Sequence, residues 1–162
     1  TAGDAQKDPV ENLRTGLCDL AEKVTENSTT TYSSKDGAVV IDVSKSGQNL
    51  TVHIAADTKI MPSDMAANDI GKMIQYAKDY LKPVFNDSQT LELGGLLLGD
   101  AYVQQKQGKD KISISKQYDG LAITAAGQVS TGSLEVDIIG TVGVKKCQPN
   151  KSKTMGMKVL PL

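Results

Sequence analysis

Hydrophobic residues recur along this 162-residue chain with two different periods, and the changes of period divide it into elements. Between Met61 and Phe85 the repeat is helical. At about 100° per residue, Ile70, Met73, Ile74, Ala77 and Leu81 fall on one arc, with Lys72, Gln75, Lys78, Asp79 and Lys82 opposite. Ser63 or Asp64 is suited to cap the first turn, and Pro83, which lacks an N–H, stops the last. The spacing predicts a helix over 63–82. With β-like sequence on both sides, it reads as the element around which the rest is arranged. A second helix is expected over about 9–26, where Val10, Leu13, Leu17, Leu20 and Val24 step by three and four behind an Asp8–Pro9 start.

Elsewhere the period is two. Val39, Ile41 and Val43 alternate with other residues in 38–44, and Leu50, Val52 and Ile54 do so in 49–55. The link KSGQ between them predicts a β-hairpin. Residues 27–36, NSTTTYSSKD, read as a polar connector. The stretch TLELGGLLLGDAYVQQ from Thr90 is expected to be one long bent strand or two short ones, with Gly94, Gly95 and Gly99 marking kinks. KISISKQ (111–117), LAITA (121–125) and SLEVDIIGTVGVKKC (133–147) follow as strands, the last with Leu134, Val136, Ile138, Val142 and Val144 on one face.

Such alternation implies an antiparallel sheet with one wet face. The expected class is α+β: a β-hairpin plus a three- or four-stranded meander, with two helices packed on one face. Residues 1–8 are expected to be disordered and 9–148 to form a single domain. Residues 149–162 are expected to be a basic tail that can add an edge strand. No internal repeat is visible in the sequence.

Composition narrows the class. Apolar residues make up 39% and charged residues 23%, as in ordinary globular chains. No run reaches the roughly 18 apolar residues that a membrane helix needs. The small polar opening TAGDAQKDP has the character of a segment just after a signal-peptide cleavage site or a lipid anchor. Net charge is −1, but after Asp137 only Lys145, Lys146, Lys151, Lys153 and Lys158 carry charge, which reads as a solvated tail. A single arginine, Arg14, and no tryptophan disfavour nucleic-acid binding, which leans on arginine forks and stacking aromatics.

Two observations bear on compartment. Cys18 and Cys147 are read as one disulfide closing nearly the whole chain, in preference to two separate buried thiols. Four of the six asparagines, Asn27, Asn49, Asn86 and Asn150, open an N-x-Ser/Thr triplet, where roughly one is expected by chance. In a eukaryotic secretory pathway these are glycan acceptors; in a bacterium they mark polar surface. The expected location is extracytoplasmic.

Candidate chemistry is sparse. His53, the sole histidine, lies on the opposite strand face from Val52 and Ile54, where a surface role outweighs catalysis. No C-x-x-C, H-x-x-x-H, G-x-S-x-G, Walker or EF-hand spacing occurs, so neither a metal nor a cofactor is implied. Asp57, Asp64, Asp69 and Asp100 are the acids a carboxylate hydrolase could use. Met65, Met73, Tyr76 and Tyr80 flank the arc of the 63–82 helix and widen it to about 160°, which makes them candidate ligand- or partner-binding residues.

The expected function is a non-catalytic extracytoplasmic protein-binding or accessory module, such as an inhibitor, an immunity protein or an envelope-assembly component. Its expected partner is another protein. A carrier of a small apolar ligand or lipid, held between helix 63–82 and the sheet, is the second reading. A hydrolase is the third.

Overall fold

The computed structural model describes residues 8–62, 70–143 and 147. Residues 1–7, Val144 and the 149–162 tail lie outside the described residues. The elements run α1 (Glu11–Ala21), β1 (Thr29–Ser33), β2 (Val39–Ser46), β3 (Asn49–Asp57), α2 (Ile70–Tyr80), α3 (Asp87–Lys106), β4 (Lys111–Tyr118), β5 (Leu121–Gln128) and β6 (Ser133–Thr141). The class is α+β. The strands form one antiparallel sheet in the order β1-β2-β3-β6-β5-β4, and three helices stand among the described residues.

Helix plus three-stranded meander therefore occurs twice, as α1-β1-β2-β3 and α3-β4-β5-β6, and the two meanders join where β3 pairs β6. This repetition is one of topology, without a repeat in the sequence.

The core lies on one face of the sheet. Val39, Ile41, Val43, Leu50, Val52, Ile54, Ile112, Ile114, Leu121, Ile123, Val136 and Ile138 are buried there, as the two-residue period requires. Leu134, expected on that face, is 36% exposed at the end of β6. Helix α1 carries the deepest contact, with Leu13, Leu17 and Leu20 only 0%, 2% and 2% exposed. Gly140 of β6 makes room for it, because a Cβ there would stand 2.5 Å from Leu17 Cδ1. Cys18 of α1 is bonded to Cys147, with their Cα atoms 5.7 Å apart.

Four expectations need correction. The first helix is shorter than 9–26. Asp8 is not its N-cap: its Oδ1 accepts from the Val10 N–H at 3.1 Å, and Val10 itself occupies the cap position. The free amides of α1 are met from elsewhere, since Glu92 of α3 accepts from Leu13 N–H at 2.8 Å and from Asn12 N–H at 3.4 Å.

The 63–82 helix is described as Ile70–Tyr80, with Ser63 and Asp64 outside the described residues. It does not organise the fold. Met73, Ile74, Tyr76, Ala77 and Tyr80 are only half-buried, while Leu81, Val84 and Phe85 just after it are buried. Ile74 Cγ1 lies 3.7 Å from where a Cβ on Gly94 would stand, so α2 is laid against α3. The central place belongs to α1.

The predicted kinked strand from Thr90 is helix α3, 20 residues long. Asn86 and Gln89 form a capping box there: the Gln89 N–H donates to Asn86 Oδ1 at 2.8 Å, and the Asn86 N–H donates to Gln89 Oε1 at 3.0 Å. The cap and burial of Leu93 against the core outweigh the helix penalty of three glycines, about 1 kcal/mol each. Finally, the polar connector 27–36 contains strand β1, which pairs along β2 from Thr29↔Ser44 to Ser33↔Val40.

Candidate functional site

The second face of the sheet carries no helix among the described residues, and strand register decides what it displays. Successive antiparallel pairings set Thr31, Asp42, His53, Asp137, Thr124 and Ser115 in one row across all six strands. On one side runs Ser33, Val40, Ala55, Glu135, Ala126 and Ser113; on the other, Thr29, Ser44, Thr51, Ile139, Ala122 and Gln117. These rows hold three carboxylates and one histidine, with no lysine or arginine.

His53 is the centre of the row. Its Nδ1 lies 2.6 Å from Asp137 Oδ1, and its Nε2 lies 3.8 Å from Glu135 Oε1. The hydrogen bond to Asp137 raises the imidazole pKa above its usual 6.5, against the smaller opposing effect of burial. Asp42, opposite His53 on β2, accepts a 2.7 Å hydrogen bond from Thr31 Oγ1. Both ring nitrogens thus face carboxylates rather than a hydroxyl or thiol. The arrangement is an electrostatic cluster and not a nucleophile–base pair. Among the described residues no group of three or more His, Cys, Asp and Glu is placed to hold a metal ion.

The other sequence candidates are dispersed. Asp57 Oδ1 accepts from the Lys59 N–H at 3.0 Å in the turn after β3. Asp100 on α3 pairs with Lys116 Nζ at 3.0 Å. These two acids do not converge, and Asp64 and Asp69 lie outside the described residues. Of the helix flank, Met73, Tyr76 and Tyr80 share α2, and Met65 lies outside the described residues. The Tyr80 hydroxyl donates to Asp36 Oδ2 at 2.6 Å and ties α2 to the β1–β2 turn. Burial, then the Asp36 bond, pushes the Tyr80 pKa up to about 12. The same bond, with those from the Ala38 N–H and Ser34 Oγ, holds Asp36 below its ordinary value.

Asn27, Asn49 and Asn86 are exposed, Asn27 in left-handed geometry at φ 62° and Asn86 as the α3 cap; Asn150 lies outside the described residues. Val43, Leu50, Val52, Ile123 and Ile138 have 0% exposure, so side chains fill the space between the helices and the centre of the sheet. An open groove of about 610 Å³ lies elsewhere, between α1 and the α2–α3 connection, with Asp19, Lys23, Lys82 and Asp87 in its lining. Its apolar floor residues Leu20 and Phe85 are each only 2% exposed.

The periodicity of β3 placed His53 on the outer face but could not show its row. Asp42, Glu135 and Asp137 alternate outward on their strands, yet nothing local shows that β6 pairs with β3 across 84 residues of chain. No helix among the described residues is long and apolar enough to cross a membrane. Comparison with known protein families, with curated proteins and with solved structures finds no match for this chain.

Proposed function

We propose that this chain is a non-catalytic, extracytoplasmic protein-binding module that meets its partner on the outer face of its sheet. The observation that carries this reading is the three-row surface around His53, which no described helix covers. The whole outer face, six strands at about 4.8 Å spacing with about eight residues of 3.3 Å each, comes to roughly 750 Å². A stable protein interface takes about 800 Å² from each partner. Asp42, Glu135 and Asp137, with His53 as the only basic group among them, complement a partner surface bearing lysine or arginine. Scattered apolar groups, Val40, Ala55, Ala122 and the exposed Ile139, supply area to bury. The disulfide supports an oxidising compartment.

Native mass spectrometry of the protein from its own source, prepared without reductant, tests this reading. The expected result is a stoichiometric protein companion that dissociates from the double variant Asp42→Lys, Glu135→Lys while the variant keeps its native fold. A bound mass of a few hundred daltons lost on denaturation would instead favour a carrier. A companion that stays bound to the double variant would remove the outer face from the proposal.

A further inference from the structure

The two edges of the sheet are treated differently. In antiparallel pairing alternate residues turn their main-chain groups toward the neighbouring strand and away from it. At β4 the outward set includes Ser113, and it is occupied. Gln104 of α3 donates from Nε2 to the Ser113 carbonyl at 2.8 Å, and its Oε1 accepts from the Ser113 N–H at 3.0 Å. That side chain stands where another strand's backbone would sit, and blocking an edge in this way prevents pairing with other chains.

At β1 the Ser34 N–H donates to the Val39 carbonyl at 2.9 Å, which fixes the phase of the ladder. Thr30 and Tyr32 bond to β2, and Thr29, Thr31 and Ser33 turn N–H and C=O off the sheet. Among the described residues nothing bonds these outward groups. The strand TTTYS has no lysine, proline or bulge to guard it.

We propose that the β1 edge is a strand-addition site, taking an extended segment of another protein as a seventh strand. The chemistry of the edge specifies that segment. Residues of the added strand opposite Thr30 and Tyr32 lie on the core side, beside the half-buried Tyr32 ring, and are apolar. Residues opposite Thr29, Thr31 and Ser33 lie on the outer face, where Asp42 favours a lysine or arginine. A second copy of this chain is the poorer occupant. The two-fold register that pairs Thr29 with Ser33 and Thr31 with itself brings only Thr30 against Tyr32 on the core side and offers Asp42 no lysine or arginine on the outer face. This site does not depend on whether the outer face is a docking surface.

A library of seven-residue peptides displayed against the intact, disulfide-bonded protein tests it, read by site-resolved amide exchange. The expected peptides alternate apolar with polar or basic residues and protect the Thr29, Thr31 and Ser33 amides. Thr31→Pro deletes one outward N–H and leaves the β1–β2 ladder whole, so it is expected to weaken those peptides at least tenfold with Thr30 and Tyr32 still protected. N-methylation of the peptide's edge-facing amides is expected to do the same with the unaltered protein. Several results would overturn the proposal: no retained peptide, peptides that bind but leave the Thr29, Thr31 and Ser33 amides unprotected, binding insensitive to N-methylation, or β1 protection through self-association alone. The Asp42→Lys, Glu135→Lys variant tests the outer face separately, because a strand held by backbone bonds survives it.

Discussion

His53 and Tyr80 each hold a carboxylate, and pH separates what those bonds contribute. The folded pKa of His53 is raised, so its stabilisation is fully present below the unfolded value of 6.5 and is lost as pH rises through the folded value. Stability is therefore expected to fall in thermal melts as pH rises from about 6.5 through the raised folded value, and Asp137→Asn is expected to flatten that slope. A slope unchanged in the variant would show that His53 gains nothing from Asp137. Tyr80 works at the other end of the scale. Its pKa of about 12 predicts a late-ionising step in an ultraviolet titration that Tyr80→Phe removes. Its partner Asp36, depressed below 3.8, contributes stability above that value and loses it as pH falls through the folded value. At this scale the sequence was partly informative. It put His53 on the outer face and Tyr80 on a helix flank, but Asp137 and Asp36 lie 84 and 44 residues away from them.

Two helix starts show how elements support one another. Asn86 caps α3 within its own sequence, whereas α1, which has no side-chain cap at Val10, takes Glu92 from α3. Asn86→Ala and Glu92→Ala are each expected to cost about 1 kcal/mol in denaturant unfolding, the usual worth of a helix cap. Glu92→Gln is expected to recover part of that loss, since its amide oxygen still accepts but without charge. Full stability of Glu92→Ala would show that water meets the α1 amides instead. Helix α3 is not legible as a helix from its periodicity, because its apolar residues are spread almost evenly around it. Leu93 is buried, while Leu91, Tyr102 and Val103 are about half-exposed. No period dominates, and Gly94, Gly95 and Gly99 imitate strand kinks. The capping box from Asn86 to Gln89 was the legible sign of a helix. Strand β1 is hidden for the opposite reason: TTTYS has a single large apolar residue, Tyr32, so it shows no alternation.

Across the whole molecule the Cys18–Cys147 bond spans a sequence separation of 129 residues and joins α1 to the far end of the chain. In the loop-entropy view such a link contributes about 4–5 kcal/mol. The double Cys18→Ser, Cys147→Ser variant is expected to unfold at a Tm lower by about 8–20 °C, at about 2–4 °C per kcal/mol for a chain of this size. A shift of only a degree or two would mean that packing of Leu13, Leu17 and Leu20 already confines α1.

By itself the sequence determined the α+β class, the strands alternating from Val39 to Ile54 and from Ile112 to Val136, and the Cys18–Cys147 pairing. Periodicity and cysteine count are local properties, and side chains a few residues apart express them before any distant contact forms. The tertiary structure decided the rest. It joined the hairpin to the meander through β3 and β6, gave α1 the centre that α2 was expected to hold, and gathered Asp42, His53 and Asp137 into one row. Those outcomes depend on which apolar faces bury each other best across the whole chain, a competition that no stretch of the sequence records on its own.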